Sequence, residues 1–387
     1  MKRGTTGHYE PTNLGGERGQ SFVPAPLPPA PPLAFGEAWQ RSLEPALLAL
    51  GRLDTVSMML PDRALFLYTY VRKEAVLSSQ IEGTQSSLSD LLLFELDEAP
   101  GVPLNDVVEV SNYVAALDHG LARLREGFPL SSRLIREIHA VLLSRGRGSG
   151  KDPGEFRRSQ NWIGGSRPGN ALFVPPPAPL VPDCMSALER FIHEERAGLP
   201  SLVRAGLAHV QFETIHPFLD GNGRVGRLLI TFLLCQAGVL REPLLYLSLY
   251  LKQNRGTYYD LLDSVRRNGD WEAWLTFFLE GVRETAEGAV STAQRLTTLF
   301  QEDRERIATT GRRAGSALRV HEVLKGRPLV SLRDVCARSG LSFPAAGSAM
   351  DLLVENGIAH ELTGKRRGRV FAYSRYLAIL NEGTEPP

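Results

Sequence analysis

The twelve residues HPFLDGNGRVGR, residues 216–227, place one histidine, one aspartate, one asparagine, three glycines and two arginines directly before the apolar run LLITFLL. Apolar residues recur at helical spacing on both sides of this stretch, over residues 202–214 and again over residues 224–236. Pro217 forces the chain out of helical geometry after the first of these patterns. The stretch therefore predicts a dense polar turn between two apolar helices.

Two motif interpretations of this turn are disfavoured. Gly221, Gly223 and Gly226 match GxGxxG literally, but a helical pattern precedes them, whereas a dinucleotide-binding βαβ unit needs a strand there. DGNGR also begins like a calcium loop, yet Arg224 stands where an EF-hand needs an acidic or amide ligand. An anion cradle fits better, because the glycines let backbone N–H groups face a ligand and the following helix offers its positive end.

The side chains of the turn suit a ligand that carries phosphate. Arg224 and Arg227 stand three residues apart on the predicted helix, so two guanidinium groups can grip a polyphosphate, and Asn222 adds a donor. Asp220 would repel phosphate unless a divalent cation lay between them, and Mg²⁺ is usually held by one or two carboxylates plus phosphate oxygens. A neutral His216 could take a proton from a hydroxyl group that attacks phosphorus. The alternative is structural: His216 caps the helix, and Asp220 and Asn222 form an Asx turn.

These twelve residues resemble the HxFx(D/E)GNGRxxR motif of Fic proteins and match it at every specified position. The resemblance extends over most of residues 60–285, including GEFRRSQNWIGG, SRPGNALFVPPP and YLKQNRGTYYDLLDSVRRNGDWEAWLTFFLEGV. Fic enzymes mostly transfer AMP from ATP to a hydroxyl side chain of a target protein. The resemblance implies a protein adenylyltransferase with a mainly α fold, a Fic-type helical bundle that carries a short β-hairpin flap.

The resemblance also implies roles for the residues of the turn. His216 would be the base that activates a Ser, Thr or Tyr of the target. Asp220 would hold Mg²⁺, or alternatively Mn²⁺, on the α- and β-phosphates of ATP. The phosphates would be bound by an anion hole and two arginines, the second of them at the γ-phosphate: Gly221, Asn222, Gly223, Arg224 and Arg227.

Two further parts of the chain resemble substrate-binding parts of the family. The hairpin from Arg167 to Phe173, which includes Leu172, resembles the flap that aligns the target backbone by strand addition. Tyr258 and Tyr259 resemble residues near the adenine, although at helical spacing at least one of them suits the core equally well. Two histidines in apolar helical patterns are expected to be core or cap residues: His139 and His209.

The sequence SSQIEG, residues 78–83, resembles the (S/T)xxxE(G/N) inhibitory motif of some Fic proteins through Ser78, Glu82 and Gly83. In the family this glutamate pairs with the second motif arginine, here Arg227. A carboxylate bound to the guanidinium of that arginine occupies the N–H donors that would otherwise bind phosphate. It also adds negative charge where phosphate must bind. We therefore expect weak basal activity. In some family members the same glutamate helps to remove AMP, so a de-AMPylase that uses Glu82 with His216 is an alternative.

Two local features are predicted along the chain: Ser131 or Ser132 caps a helix, and the residues around SRPGN form two short strands. The pattern also predicts five regions. The regions are an extended Pro-rich arm (1–35), a helical region with the inhibitory helix (36–108), the Fic core (109–290), a linker helix (291–315) and a winged helix-turn-helix domain (316–380).

The last region resembles a winged helix in outline, with three short amphipathic patterns and a basic hairpin. Residues 301–376 contain 14 Lys and Arg against 8 Asp and Glu. This surplus makes DNA a candidate partner, and a DNA-binding regulator with a nucleotide-sensing core is an alternative function. The candidate recognition helix, 342–354, has few long polar side chains, so protein contact is an equal alternative. The possible DNA contacts lie at the hairpin tip: Lys365, Arg366, Arg367 and Arg369.

Composition sets the remaining expectations. The formal net charge of +1 disfavours a chain that binds nucleic acid along its whole length. Three widely spaced cysteines form neither a disulfide framework nor a zinc motif, and the N-terminus lacks the apolar core of a signal peptide, so we expect a cytoplasmic protein. The expected partners are ATP and a target protein, which could be the chain itself. A homodimer is compatible with the sequence, although no strong coiled-coil seam supports it.

Overall fold

The computed structural model describes residues 3–14, 16–34, 36–59, 63–96, 102–194, 198–365 and 368–385. These residues are mainly helical, which confirms the predicted fold class. The chain divides into two compact units, the first made of Met1–Gly51 and Val108–Ala286 and the second of Arg52–Val107 and Glu287–Pro387. Among the helices of the described ranges, none combines the length and the apolar character of a membrane span.

The N-terminal segment differs from the extended arm expected for residues 1–35. Strand β1, Gly7–Leu14, pairs antiparallel with strand β2, Glu17–Pro24, over the full length of both. The hairpin has an aromatic anchor: Phe22 is 0% exposed, and the ring of Tyr9 packs edge-on against it at 5.2 Å. The described proline-rich residues after Pro24 lack regular secondary structure.

The first unit contains the helices around the polar turn. The helix at Ser132–Leu142 begins as predicted, because the Ser131 side chain accepts a hydrogen bond from the backbone N–H of Leu134. The helices that lie wholly or partly in this unit are α1 (Glu37–Met59), α4 (Leu104–Arg125), α5 (Ser132–Leu142), α6 (Val181–His193), α7 (Ser201–Ile215), α8 (Asn222–Gln236), α9 (Ser248–Gln253), α10 (Arg255–Asn268) and α11 (Trp271–Ala308).

Helices α7 and α8 form the centre of this unit. Nearly every residue of both helices is buried. A Cβ atom at Gly226 of α8 would lie 2.2 Å from Oε1 of Glu213 on α7, so a larger residue here would force the Glu213 side chain to move. The turn that joins them, residues 216–221, is therefore fixed at both ends by packed helices.

The second unit contains helix α2 (Arg63–Ile81), helix α3 (Leu88–Phe94) and a C-terminal module. Helix α11 runs without a break to Ala308 and so passes the predicted boundary at residue 290, and the predicted domain bounds stay a prediction. The module has a three-stranded antiparallel sheet in the order β3, β5, β4, and its assignment as a winged helix stays a prediction. Its elements are α12 (Ala314–Gly326), β3 (Leu329–Ser331), α13 (Leu332–Ser339), α14 (Phe343–Glu355), β4 (His360–Glu361), β5 (Val370–Ala372) and α15 (Ser374–Asn381).

Within this unit one face of α2 is bonded to the end of the chain. Thr69 Oγ1 and Tyr376 Oη are 3.0 Å apart, and Lys73 Nζ donates to the carbonyl of Glu382 at 2.9 Å. Gln80, which is 1% exposed, donates through Nε2 to the carbonyl of Thr384 at 2.9 Å. The C-terminal residues thus hold the helix that carries the sequence SSQIEG.

Candidate active site

His216 occupies a constrained backbone position at the end of α7. Its φ of 49° and ψ of 61° are left-handed, which is uncommon and costly for a residue other than glycine. Its backbone N–H still donates to the carbonyl of Phe212 at 2.9 Å, and Pro217 then ends the helix. This reversal leaves the imidazole partly exposed in the polar turn.

Asn222 shapes the turn from within. Its side-chain oxygen accepts the N–H of Phe218 at 2.8 Å, and its amide nitrogen donates to the carbonyl of Phe218 at 2.8 Å. The side chain is 2% exposed, so the extra ligand donor that the sequence predicted here is used inside the protein. Helix α8 begins at Asn222 after Gly221, whose φ is 77°. The first N–H groups of a helix have no intrahelical acceptors, so α8 still presents backbone donors at the turn.

Arg224 is more deeply buried than a simple phosphate ligand would be. Its side chain is 3% exposed and lies 3.3 Å from Glu109 Oε2 and 3.4 Å from Asp220 Oδ1. The Glu109 side chain is equally buried, and its Oε1 also accepts a hydrogen bond from Nε of Arg147 at 2.7 Å. Buried Nε of Arg224 has no hydrogen-bond partner among the described residues, so one donor remains for a further acceptor. Arg227, one turn further along α8, is 4% exposed.

The carboxylate of Asp220 lies at the open side of the turn. Its side chain is 38% exposed, and Oδ1 accepts the N–H of Gly221 at 2.5 Å. A Cβ atom at Gly148, whose φ is 90°, would lie 2.9 Å from Asp220 Oδ2, so this glycine makes room for the carboxylate. No group of three or more His, Cys, Asp or Glu side chains in the described ranges could hold a metal ion by itself.

His139, expected to be a core or cap residue, is buried and supports the turn directly. Nδ1 accepts the N–H of Gly154 at 2.8 Å, so Nε2 carries the proton and donates to the carbonyl of Asp220 at 3.0 Å. The ring stacks on Phe218 with centroids 3.7 Å apart. Burial lowers the pKa of His139 to about 4. A neutral histidine therefore fixes the backbone of the predicted metal ligand.

Tyr258 is a core residue and not an open ligand contact. It is 1% exposed, and its hydroxyl is 2.9 Å from Nε2 of His209, whose Nδ1 lies 2.9 Å from the carbonyl of Gly226. Burial lowers the pKa of His209 to about 4, as expected for a core histidine. Tyr259 is 43% exposed and remains the candidate for contact with the adenine ring of ATP.

The predicted flap is less regular than two strands. One antiparallel bridge joins Ile163 to Phe173, and a 3-10 turn, Pro168–Asn170, lies between them. Leu172 is 76% exposed, whereas the ring of Phe173 lies 3.8 Å beneath the guanidinium of Arg266. The flap therefore has one exposed and one anchored apolar side chain.

The N-terminal hairpin contacts this flap, a feature that the sequence did not predict. The N–H of Phe22, in β2, donates to the carbonyl of Val174 at 2.9 Å, directly after the flap. Nη1 of Arg167 lies 2.8 Å from Oε1 of Glu17. One edge of the flap is thus occupied by the chain itself.

Arg157, in the GEFRRSQNWIGG stretch, is a second feature that the sequence did not single out. It is 2% exposed, and Nε donates to the carbonyl of His216 at 2.9 Å. Nη2 donates to the carbonyls of Pro176 at 2.5 Å and Ile215 at 3.4 Å. Burial lowers the pKa of this guanidinium to about 10. The residue joins the turn to the segment that follows the flap.

The predicted inhibitory residues lie at the end of α2. Ser78 is 0% exposed, and Glu82 is exposed directly after the last residue of the helix. Gly83 has a φ of 99°, as expected for a glycine that ends a helix. The pairing of Glu82 with Arg227 stays a prediction.

The predicted DNA contacts lie in the C-terminal module. Arg369 is paired with Glu361 at 3.1 Å and with Asp351 at 3.2 Å, so its charge is partly compensated. Lys365 is exposed, and Arg366 and Arg367 lie outside the described residues. The exposed positions of α14 carry no basic side chain, but instead apolar, small and acidic ones: Phe343, Pro344, Ser348, Asp351 and Glu355. This surface is unlike a DNA-reading helix, and DNA binding stays a prediction.

Comparison with known families agrees with this geometry. Residues 40–122 match the Fic/DOC family N-terminal region, and residues 129–234 match the Fic/DOC family. The chain contains a Fic/DOC N-terminal region and a Fic/DOC family domain. The family match ends two residues before the end of α8, so it contains the whole turn from His216 to Arg227.

Curated relatives of this Fic protein are called protein adenylyltransferase Fic. The protein from Culex quinquefasciatus is 35% identical over 154 residues, which is 40% of this chain and 28% of the relative. The protein from Drosophila yakuba is 30% identical over 188 residues, 48% of this chain and 35% of the relative. The chain thus spans about a third of the length of these relatives.

Solved structures support the Fic fold. A Fic family protein from Desulfovibrio desulfuricans is 20% identical, has a TM-score of 0.59, and covers 88% of this chain and 97% of its own. A Fic domain containing signaling protein from Bacteroides thetaiotaomicron is 20% identical, with a TM-score of 0.52, and covers 65% of this chain and 97% of its own. At this identity the likeness concerns the fold alone.

Proposed function

We propose that this Fic protein transfers AMP from ATP to a hydroxyl side chain of a protein. The observation that carries the proposal is the turn itself: His216, the exposed carboxylate of Asp220 and the start of α8 are held together by two buried helices. A pure nucleotide sensor needs the cradle but has no use for a base beside it. The relatives named as adenylyltransferases support the same conclusion.

The chemistry follows from the positions of these groups. His216 takes the proton of the target hydroxyl, whose oxygen forms a bond to the α-phosphorus of ATP. The bond from that phosphorus to the bridging oxygen breaks, and pyrophosphate leaves. The N–H groups at the start of α8 and the free donor of Arg224 stabilise the negative charge on the phosphates. Glu109 and Asp220 keep the Arg224 side chain in one orientation.

The residues present fit a Mg²⁺ ion that arrives with the nucleotide. Asp220 offers one partly exposed carboxylate, and Mg²⁺ commonly takes its remaining ligands from phosphate and water. When bound, the ion would neutralise charge on the leaving pyrophosphate. Asp220 would hold it, and His139 keeps the backbone of Asp220 in place.

Labelled ATP distinguishes this reaction from phosphorylation. We expect label from the α-phosphate of ATP, but not from the γ-phosphate, to become covalently attached to protein. A panel of ATP, GTP, CTP and UTP labelled at the α-phosphate would identify the donor. Attachment of the γ-label would contradict AMP transfer, and α-label from another nucleotide alone would contradict ATP as the donor.

We also propose that Glu82 restrains this activity. A carboxylate directly after the C-terminal end of a helix is disfavoured by the helix dipole, so the dipole of α2 does not account for Glu82. The family resemblance supplies a reason, because the carboxylate would compete with phosphate for Arg227. The contacts of Thr69, Lys73 and Gln80 with the C-terminal residues hold the helix that carries it.

Removing residues 382–387 should therefore weaken the restraint. The truncation removes the carbonyls of Glu382 and Thr384 that bind Lys73 and Gln80, so we expect faster AMP transfer than in the intact chain, measured by α-labelled ATP. In a Glu82→Gly background the truncation should add nothing.

The matched control is Arg295→Gln, which removes an exposed ion pair with Glu382 but leaves both carbonyl contacts intact. It should transfer AMP at the rate of the intact chain. An equal gain from truncation with and without Glu82 would show that the C-terminal residues act by some other route.

A further inference from the structure

Arg157 has the contacts of a clamp on the backbone around His216. Its guanidinium binds the carbonyls of Ile215 and His216, and its own backbone N–H donates to the carbonyl of Pro217 at 2.9 Å. Three consecutive carbonyls, centred on the proposed base, are therefore bonded to one residue. The last carbonyls of a helix lack intrahelical donors, and Arg157 supplies a donor to the last carbonyl of α7, that of Ile215.

The same side chain reaches the segment after the flap. Nη2 donates to the carbonyl of Pro176. Two nearby side chains also donate to backbone carbonyls: Nε2 of Gln160 to Pro175 at 2.8 Å, and Nδ2 of Asn161 to Phe218 at 3.0 Å. The stretch 157–161 thus bonds both to the turn and to the segment that directly follows the flap. A planar guanidinium with several fixed donors can bind such divergent carbonyls, whereas a lysine ammonium cannot match them all.

The chemistry of this position is unusual for a buried charge. Among the described contacts of Arg157 every acceptor is a neutral carbonyl oxygen, and no carboxylate compensates the charge. A buried charge of this kind is expensive, and its burial lowers its pKa to about 10. A hydrophobic residue would serve packing better, so packing alone does not explain the arginine.

We infer that Arg157 is a positioning residue for the proposed transfer reaction: it holds His216 in its left-handed conformation and in register with the flap that presents the target. A non-glycine residue keeps such a conformation only where its surroundings determine it. Without the clamp, the turn relaxes and the imidazole moves relative to the target hydroxyl. Displacements of about 1 Å can cost on the order of 100-fold in rate.

The inference rests on the proposed function, so the test has one arm that does not depend on activity. Spectra of protein with ¹³C-labelled histidine rings, with His216 assigned from His216→Gln, report the environment of the imidazole. We expect Arg157→Lys to shift or broaden the His216 signal and to leave the buried core His209 signal in place. An unchanged His216 signal in Arg157→Lys would overturn the inference, whether or not the protein transfers AMP.

The second arm is kinetic, in the Glu82→Gly background. Arg157→Lys should lower kcat about 10- to 100-fold, while the Kd for ATP changes less than about 3-fold, because α8 and its arginines are untouched. Arg158→Lys is the matched control, since the neighbouring arginine is exposed, and it should behave as the parent. Loss of ATP binding in step with kcat would show a general structural role.

A stability control separates positioning from simple destabilisation. Trp274→Phe removes a buried bond, from Nε1 to the carbonyl of Gly206 at 2.9 Å, elsewhere on α7. It should lower the unfolding temperature and leave kcat and the His216 signal unchanged. An equal fall of kcat in Trp274→Phe would overturn the inference. If Arg157→Lys does not fold, Arg157→Gln replaces it in both measurements, because glutamine keeps a planar group with two N–H donors.

Discussion

The Glu82→Gly protein, incubated with ATP and Mg²⁺, is expected to gain one or more AMP units in intact mass, and the parent protein much less. The substitution removes the carboxylate that we propose competes with phosphate at Arg227, so the γ-phosphate can bind where the reaction needs it. Adding His216→Ala should abolish the gain. A positioned general base contributes roughly 10²- to 10⁴-fold in rate, which places the double variant below detection by mass.

The chain contains a close control for Glu82. Glu126 and Gly127 follow helix α4 as Glu82 and Gly83 follow helix α2, and both glycines have a positive φ. Glu126→Gly therefore makes the same chemical change at the same kind of position, 63% exposed and paired with Arg123, and should leave the transfer rate at the parent level. An equal gain in both variants would mean that the carboxylate of Glu82 is not a specific brake.

The outcomes separate the parts of the proposal. A gain that survives His216→Ala would exclude His216 as the base but leave AMP transfer in place. No gain in any variant, together with no α-label on added protein targets, would count against the transferase and favour the sensor predicted from the sequence as an alternative.

The sequence predicted the polar turn because all its determinants are local. Pro217 ends a helix, Gly221 permits a positive φ, and the apolar runs on both sides predict the buried helices α7 and α8. The partners that orient the turn are distant in sequence. Glu109 lies 115 residues before Arg224, and no local pattern marks it as the buried acid that pairs with that arginine.

One error has a local cause. The N-terminal hairpin was missed because Gly and polar residues dominate residues 1–20. Its stability comes from Phe22, whose ring lies 6.2 Å from that of Phe173, a contact with a distant segment.

Tyr258 and Asn222 show why residue type alone does not identify ligand contacts. Both were candidates for ATP binding, and both are bonded inside the protein, to His209 and to the backbone of Phe218. A polar side chain at the predicted site can support the shape of that site without touching the ligand. Only burial and hydrogen-bond partners distinguish the two roles.

Two buried histidines of the first unit predict a loss of stability in mild acid. His139 and His209 each accept one hydrogen bond and donate another, so neither has room for a second proton. Burial lowers both pKa values to about 4, whereas a histidine in the unfolded chain has a pKa of about 6.5. Between these values the unfolded chain binds protons that the folded chain does not, so the free energy of unfolding falls as the pH falls.

The size of this effect makes it measurable. Each histidine contributes up to about 1.4 kcal/mol per pH unit between pH 6.5 and pH 4, or roughly 3 kcal/mol per histidine over that range. Urea unfolding of the parent at pH 7.5, 6.0 and 5.0 should show about 2 kcal/mol of this loss per histidine. In His209→Gln the side chain can still donate to Gly226 and accept from Tyr258, but it does not titrate. The slope of its free energy of unfolding against pH should therefore be lower than that of the parent by about 1.4 kcal/mol per pH unit. His8→Gln, at a side chain that is 64% exposed, is the control. A slope in His209→Gln equal to that of the parent would mean that His209 carries its proton in the fold, and with it the assigned donor and acceptor roles between α7, α8 and α10 would be wrong.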